Sequence, residues 1–236
     1  MVSLEIEQNF VSVFEDCALI GKIELYTNTY HMQNQYLRID HFLFDNAVSK
    51  EVFSQLRNKI GKPLQIMVYS DRTDLIDFLI SGGFHLKRKC YEIEATAKKY
   101  AGTIRRADLS HARAGEKDYD ECCKLMYARY KETHKTVNPL TADYNTFICN
   151  FPKCVFYEKI KEDMIHFAFI EGNEIAYVFS KNETHFKIFA EAIISKIFVE
   201  YSSLYFEADD CDSTAMVLKS LFNTDKGISC DTYIYD

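Results

Sequence analysis

The sequence predicts an α+β protein with mixed sheets, built as two similar units in tandem. The first observation is a strand–helix–strand pattern over residues 64–94, where the pair Gly82–Gly83 ends the helical spacing. A weaker copy lies over residues 204–235, about 140 positions further along, and such self-similarity is typical of a repeated architecture. The third observation is the order of the predicted strands and helices, which the two halves of the chain share.

Composition favours a folded protein and disfavours nucleic acid as a partner, although a local basic patch remains possible. Apolar residues make up 47% of the 236 residues and aromatic residues 14%, which is the opposite of a disordered chain. The net charge of −7 disfavours a general nucleic-acid binder, because such a protein needs a basic surface. The most basic run contains Lys98, Lys99, Arg105 and Arg106, and it is short enough to be interpreted as a solvated linker face.

The eight cysteines are expected to be free thiols. None lies in a Cys-x-x-Cys pattern, and none has the spacing to histidine that is typical of a zinc site, so we predict no metal. The sequence opens without a secretory signal and has no apolar run of membrane-spanning length. We therefore expect a cytoplasmic protein with no membrane partner.

The first half of the chain alternates strands and helices after an opening set of strands. Two strands are predicted over residues 9–27 and a third over residues 36–44. Ser49 is the expected N-cap of the helix that follows, and Gly61 is its expected end. The strand–helix–strand pattern of residues 64–94 then completes this half.

The small polar segment 95–103 is placed as the boundary, which predicts domains over residues 1–97 and 103–236. The second half is predicted to begin with a strand at 103–108 and helices at 116–131 and 141–151, and Thr141 is the expected cap of the second helix. Strands follow at 154–159, 165–170 and 175–179, with a hairpin at Gly172–Asn173 between the last two. A helix around 189–201 and the closing pattern complete this half. It repeats the first half after one additional strand and two additional helices.

This order resembles that of the GNAT superfamily of N-acyltransferases. The best local match is Asp71 to Phe84, where Phe78 takes the first position of the family's Phe-Tyr-x-x-x-Gly-Phe and Gly83–Phe84 take the last two. The resemblance implies two GNAT-like units in tandem, with a truncated or degenerate N-terminal half and a complete C-terminal half. It also implies a mixed sheet that opens between its fourth and fifth strands to hold acyl-CoA.

The resemblance implies that acetyl-CoA or another acyl-CoA is the co-substrate. The family holds the CoA pyrophosphate with Gln/Arg-x-x-Gly-x-Gly/Ala, because backbone N–H groups at a helix N-terminus must face the phosphates. The matching segment here has a cation and small residues but lacks both glycines. The implied contacts are the N–H of Phe179 or Ser180 to the carbonyl oxygen and the phosphate segment of Lys187, Ala190 and Ala192. His185 lies at the mouth of that segment, where it could touch a phosphate or serve as a base.

N-acyl transfer needs a base for the amine and a proton for the leaving thiolate. The resemblance places the base on the fourth or fifth strand, and Glu207 is preferred to Glu174 because its strand borders the opening. Tyr205 and Tyr177 are the candidate proton donors. The family's usual tyrosine acid is replaced by Leu79 in the first half and aligns with about Lys219 in the second.

Two other sets of reactive side chains are interpreted as structural. His31, Asp40, His41 and Tyr69 form a loose set in the first half, which is expected to be structural or to line an acceptor pocket. Cys211 follows the fifth strand of the second half, where a nucleophile could stand. Because no histidine is near it in sequence, Cys211 is interpreted as a packing residue.

Three functions remain open from the sequence. The leading hypothesis is an acyl-CoA-dependent N-acyltransferase that transfers an acetyl group to a small-molecule amine. The alternative is a non-catalytic GNAT-like module that binds a ligand or a protein, which the missing glycines and the missing tyrosine favour. A third hypothesis is aminoacyl transfer from tRNA, which the net charge of −7 disfavours. The sequence makes no prediction of the oligomeric state.

Overall fold

The computed structural model describes residues 1–39, 45–105, 107–224 and 227–236. The strands are β1 (Val2–Glu7), β2 (Phe10–Glu15), β3 (Ala18–Tyr26), β4 (Gln35–Arg38), β5 (Leu64–Tyr69), β6 (His85–Thr96), β7 (Ser110–Arg113), β8 (Cys154–Ile160), β9 (Asp163–Glu171), β10 (Glu174–Ser180), β11 (Ser203–Asp209) and β12 (Ser229–Tyr235). The helices are α1 (Asn46–Ile60), α2 (Thr73–Gly82), α3 (Lys117–His134), α4 (Tyr144–Ile148), α5 (Glu183–Glu200) and α6 (Ser213–Lys219). None of these helices is both long enough and apolar enough to cross a bilayer.

The chain forms two compact units, and each is assembled from more than one stretch of sequence. The first unit comprises Met1–Lys89, Thr136–Ala142 and Ile228–Asp236, and the second comprises Cys90–Lys135 and Asp143–Gly227. The first five residues of β6 therefore belong to the first unit and the rest to the second. The predicted domains at 1–97 and 103–236 describe something else, a tandem repeat of two GNAT-like units along the sequence. That division stays a prediction.

In the first unit the strands from β1 to β5 lie in sequence order, and β12 is added beyond β5. All these neighbours are antiparallel except β4 and β5, which are parallel and are connected through α1. Strand β1 was missed by the sequence analysis. The strand predicted over 36–44 is observed as β4 at 35–38, and residues 40–44 lie outside the described part of the chain.

Aromatic packing holds the helices of the first unit. The ring of Phe53 on α1 meets Phe78 on α2 and Phe84 just beyond it, with centroid distances of 5.3 and 4.7 Å. Gly82 permits this close approach, because a Cβ there would lie 2.5 Å from the Phe53 ring. Gly83 then ends α2 with a left-handed φ of 100°, which confirms the predicted glycine stop.

Two predicted helix caps are wrong. The N-cap of α1 is Asp45, whose carboxylate accepts a hydrogen bond from the Ala47 N–H at 2.9 Å. Ser49 is instead buried inside the helix and donates its hydroxyl to the Asn46 carbonyl. The cap of α4 is likewise an aspartate, Asp143, and not Thr141. In both places a carboxylate lay a few residues from the expected cap, and caps of similar preference compete within such a stretch.

In the second unit the strand order is β6, β11, β10, β9, β8, β7. The neighbours are antiparallel except β10 and β11, which are parallel and are connected through α5. The predicted hairpin at Gly172 and the helix that begins near residue 116 are both confirmed. The mixed α/β sheet of the predicted fold class is therefore present.

The short strand expected at 103–108 is wrong, and the chain reaches the sheet later, as β7 at 110–113. The backbone of residues 103–105 bonds to helix α5 and not to a neighbouring strand. The Thr103 N–H donates to the Glu191 side chain, and the Arg105 N–H donates to the Ser195 side chain. Arg105 also forms a 2.5 Å ion pair with Glu191, which is buried. The segment is thus tied to a helix by side chains, which a strand pattern in the sequence does not reveal.

The pairing of the strands after α2 and α6 is reciprocal. The chain runs from β5 through α2 into β6, and from β11 through α6 into β12. Yet β5 pairs with β12 in the first unit, and β11 pairs with β6 in the second. Each unit therefore receives the strand that follows the other unit's helix.

The fold predicts a large difference between two neighbouring positions of α2. Phe78 is fully buried, whereas Ile80 is 56% exposed. We expect Phe78→Ala to lower the free energy of unfolding by about 3–5 kcal/mol, because it leaves a cavity in the aromatic cluster. The matched control Ile80→Ala should change it by less than about 0.5 kcal/mol. Urea denaturation followed by circular dichroism measures both, and equal effects would contradict the packing described.

Candidate functional site

An opening between two parallel strands organises the candidate site. β10 and β11 pair at Glu174 with Tyr205 and at Ile175 with Phe206, and the Tyr205 N–H donates to the Asn173 carbonyl at 3.0 Å. Among the described residues the ladder contains only these two pairs, although both strands continue for several residues. The strands therefore part beyond this point, and backbone groups that would normally face a neighbouring strand border the opening.

A bulge lies in β10 at the start of this opening. The register of β10 against β9 shifts between Ile175 and Tyr177, which leaves Ala176 as the extra residue. A bulge bends its strand and redirects the local backbone, and bulges are common beside active sites. The bulge was not predicted from the sequence. Residues 175–179 of β10 are all apolar or aromatic, so an inserted residue interrupts no alternation of polar and apolar side chains.

The two faces of β11 have different roles. Leu204, Phe206 and Ala208 are fully buried and pack in the core that includes α5 and α6. Tyr205, Glu207 and Asp209 alternate with them and lie on the opposite face. The two predicted catalytic residues are thus brought together, since the Tyr205 hydroxyl donates to Glu207 Oε1 at 3.0 Å.

Burial raises the pKa of Tyr205 well above its ordinary value, and the charge of Glu207 and the hydrogen bond to it raise the pKa further. Tyr205 is therefore a neutral donor throughout the physiological range. This arrangement orients the Glu207 carboxylate while leaving its second oxygen, Oε2, for other partners. The Cys90 thiol on β6 lies 3.8 Å from that oxygen.

Strand β6 adds further carboxylates to this side of the sheet. Glu92 lies directly opposite Glu207, and Glu94 lies directly opposite Tyr205, and residues paired in this way share a face. Glu174 joins them from β10, beside Tyr205. We call Glu92, Glu94, Glu174 and Glu207 the acidic face. Its members come from three strands, so the local sequence around Glu207 did not predict it.

The crowding of carboxylates changes the titration of one of them. The pKa of Glu174 is raised by its burial first, and then by the negative charges of Glu207 and Glu171. A raised pKa means that the charged form of Glu174 is less stable in the folded protein than in the unfolded chain. The acidic face is therefore a local electrostatic cost that a bound cation would relieve.

Helix α5 begins beside the opening and carries the other predicted contacts. Phe179 is mostly buried and its ring stacks on Phe167 at 4.7 Å. The Ser180 hydroxyl lies 2.9 Å from His166 Nδ1 and accepts the Asn182 N–H, while His185 is exposed in the first turn and contacts the Asn182 side chain at 3.0 Å. The side chains of Phe179 and Ser180 thus serve packing, and only their backbone groups remain for an oxyanion contact.

The expected phosphate segment lies inside α5 and not before it. Lys187 is the fifth residue of the helix and is exposed, whereas Ala190 and Ala192 are buried. Interior N–H groups of a helix bond to carbonyls one turn earlier, so those of Ala190 and Ala192 are not directed at a ligand. The free N–H groups of a helix are in its first turn, which here begins at Glu183. The roles of Lys187, Ala190 and Ala192 in binding stay predictions.

Other residues singled out by sequence have structural contacts. His31 is buried, and its Nδ1 lies 3.2 Å from the Pro139 carbonyl within the first unit. Leu79 is fully buried, and the Lys219 ammonium lies 4.2 Å from the centre of the Tyr91 ring. Asp40 and His41 lie outside the described residues. Cys211 has a histidine near it after all, since it clusters with His134 and Asp209.

Solved structures with the same architecture are N-acetyltransferases. A GCN5-related N-acetyltransferase from Sphaerobacter thermophilus aligns with a TM-score of 0.54 and 10% identity, over 98% of this chain and 80% of its own. One from Kribbella flavida aligns with a TM-score of 0.50 and 10% identity, over 98% and 89%. The fold is GNAT-like. No protein-family profile and no curated protein matches the chain.

The chain is also similar to a probable N-acyltransferase from Enterococcus faecalis, with 12% identity and a TM-score of 0.49 over 95% of this chain. It spans only 61% of the length of that protein. At these identities the GNAT-like fold is what the comparisons establish. The parallel pair β10 and β11, connected through α5, is the part of this fold in which the candidate site lies.

The cost of the acidic face can be measured at Glu174. Because its folded-state pKa is raised above the usual value near 4.5, its ionisation lowers stability, fully at pH 7, and the loss disappears as the pH falls below that usual value. We expect Glu174→Gln to raise the melting temperature at pH 7, with a gain that shrinks towards pH 4. The exposed Glu171→Gln is the control and should change it less, since burial is the main cause at Glu174. A loss of stability at pH 7 in Glu174→Gln would contradict the electrostatic account.

Proposed function

We propose that the protein is an acyl-CoA-dependent N-acyltransferase that transfers an acetyl group from acetyl-CoA to a small-molecule amine. The observation that carries this proposal is the Tyr205–Glu207 pair on the acidic face, beside the point where β10 and β11 separate. An amine is cationic at neutral pH, and a surface with four carboxylates attracts such a molecule. The fold similarity to N-acetyltransferases supports the reaction class.

We also propose that the chain is a tandem of two GNAT-like units, of which the N-terminal one is truncated. Both halves of the chain contain a parallel strand pair connected by one helix, followed by a second helix and another strand. The second unit has in addition β7, α3 and α4 before these elements, as the predicted order requires. We place the reaction in this second unit because the Tyr205–Glu207 pair and the acidic face belong to it.

The proposed chemistry assigns one proton path to these residues. The cationic amine first loses one proton to the solvent, and as the neutral amine attacks the thioester carbonyl, Glu207, directly or through a water molecule, accepts the second proton that the nitrogen loses on forming the amide. The raised pKa of Tyr205 makes it a weak acid by itself, so it acts as a relay: it takes a proton from Glu207 as it releases its own towards the leaving thiolate. Acetyl-CoA supplies the activated acyl group.

The proposed phosphate contact is the first turn of α5 and not the helix interior at Ala190 and Ala192. An 18-residue helix presents unsatisfied N–H groups and a partial positive charge at its N-terminus, which suits an anionic ligand. His185 and Lys187 are exposed within the first two turns and add donors on that side. The N–H of Phe179 or Ser180 remains the proposed contact for the carbonyl oxygen.

One observation favours the alternative of a non-catalytic GNAT-like binding module. Glu183 is the first residue of α5, and its carboxylate accepts a hydrogen bond from the Ser213 hydroxyl. A carboxylate at this position already occupies the helix N-terminus and repels phosphate. Aminoacyl transfer from tRNA lacks comparable support, because the net charge of −7 opposes a long phosphate backbone.

Binding of acetyl-CoA separates the two leading possibilities. We expect acetyl-CoA to raise the melting temperature, because a ligand at a hundredfold excess over its Kd stabilises the folded state by about 2.7 kcal/mol. S-acetylpantetheine, which lacks the pyrophosphate, is the matched control and should give a smaller shift. Calorimetry that detects no binding at millimolar acetyl-CoA would overturn the acyltransferase proposal and leave the binding module.

Turnover tests the assignment of the base. We expect Glu207→Gln to lower kcat by about 10²- to 10⁴-fold on an amine panel, while acetyl-CoA binding by calorimetry is unchanged. Glu200→Gln, at the other end of α5, removes an exposed carboxylate and should keep full activity. Full activity in Glu207→Gln would show that another group is the base, and absent turnover in a wild-type protein that binds acetyl-CoA would support the binding module.

A further inference from the structure

Three potential metal ligands converge at the end of β11. His134 is the last residue of α3, Asp209 is the last residue of β11, and Cys211 lies two positions further on. One donor atom from each lies within 4.8 Å of the donor atoms of the other two. The histidine is distant in sequence from the other two residues. That separation is why the cysteine and histidine spacings of the sequence predicted no metal.

The surroundings of His134 determine which ring nitrogen faces the cluster. Its Nδ1 lies 3.1 Å from the Tyr130 carbonyl oxygen and 2.9 Å from the Thr133 hydroxyl. A carbonyl oxygen only accepts, and the Thr133 hydroxyl has the same carbonyl as its own acceptor at 3.2 Å. A ring proton on Nδ1 would donate to the Tyr130 carbonyl, and the ring nitrogen nearest Asp209 is Nε2.

Nε2 lies beside a carboxylate. His134 Nε2 and Asp209 Oδ2 are 3.4 Å apart, which makes them an ion pair when the ring is protonated. A neutral imidazole and a carboxylate at this separation can also hold a metal ion between them. Two ligands at the usual zinc distances of about 2.0–2.1 Å in a tetrahedral site are roughly 3.3 Å apart, which is close to the separation observed.

The ring is held firmly in this orientation. It stacks on Tyr130 at 3.8 Å with an interplanar angle of 11°, and the His134 side chain is only 3% exposed. A ligating histidine whose other nitrogen donates to a backbone carbonyl is the usual outer-shell arrangement of protein metal sites. Asp209 is 20% exposed and Cys211 is half-buried, so an ion can enter from their side.

We propose that His134, Asp209 and Cys211 bind a Zn²⁺ ion with three protein ligands and one exchangeable position. An imidazole nitrogen, a carboxylate and a thiolate suit zinc, whereas magnesium and calcium take oxygen ligands. The nearby cation Arg129 does not oppose this ion strongly, because it is paired with Asp212 at 3.0 Å. The site is independent of the proposed acyl transfer.

A Cys–His–Asp nucleophile would use the same residues differently. In such a triad one ring nitrogen is oriented by the carboxylate and the other takes the proton from the thiol. Here Nδ1 contacts Tyr130 and Thr133 within α3, and Asp209 lies beside Nε2, where a thiol of such a triad would have to lie. The arrangement therefore fits a common ion better than a proton transfer chain.

Cobalt substitution tests the site in the full-length protein under reducing conditions. We expect the chelator-treated wild type to bind one equivalent of Co²⁺, with a thiolate-to-metal absorption band and visible bands typical of tetrahedral coordination, and Zn²⁺ to displace it. Cys211→Ser should abolish the thiolate band. Cys149→Ser, which removes an exposed thiol of the same unit, is the matched control and should keep it.

A second variant makes the result independent of the thiol. Asp209→Asn should weaken Zn²⁺ binding by more than the 10- to 100-fold that loss of an outer-shell partner typically costs. Circular dichroism of the metal-free variants establishes that they are folded. The proposal is overturned if the wild type gives no tetrahedral Co²⁺ spectrum, as expected if a ring proton bridges His134 and Asp209, or if the spectrum is unchanged in both Cys211→Ser and Asp209→Asn.

Discussion

The candidate site depends on one interrupted ladder, in which β10 and β11 pair through two residues each and then part. Beyond the paired residues, β10 and β11 no longer hydrogen-bond to each other. Backbone groups on the facing edges of the two strands can therefore bind a ligand. The bulge at Ala176 is in β10, which leads into α5, and the Tyr205–Glu207 pair is on β11. The chemistry that we propose requires all of these to meet at the same opening.

The acidic face lowers the stability of the folded protein. Burial, and then repulsion by the charges of Glu207 and Glu171, raises the pKa of Glu174. The core beneath β11 offsets this cost, because Leu204, Phe206 and Ala208 are fully buried on the opposite face. One strand thus combines a stabilising face and a reactive face, which strict alternation of side chains makes possible.

Local patterns in the sequence were enough to predict the parts of the structure that are themselves local. The pattern at 64–94 predicted β5, α2 and β6, and its weaker copy at 204–235 predicted β11, the strand that carries Tyr205 and Glu207. Contacts between distant segments were missed: Glu92 reaches Glu207 only through the register of β6 with β11, and His134 reaches Asp209 from another helix. The phosphate segment was placed by motif, and the helix α5 begins before it, because nothing in Lys187 to Ala192 breaks a helix.

The pairing of β12 with β5 and of β6 with β11 has a consequence for synthesis on the ribosome. β5 leaves the ribosome long before β12, about 160 residues later, so the edge of β5 has to wait for its partner while the second unit is being made. An unpaired strand edge is a template for wrong partners, and β6 is the nearest one available, since it follows β5 after a single helix. Until β12 is made, β6 therefore competes with it for the free edge of β5, and the native pairing requires that β12 take that edge.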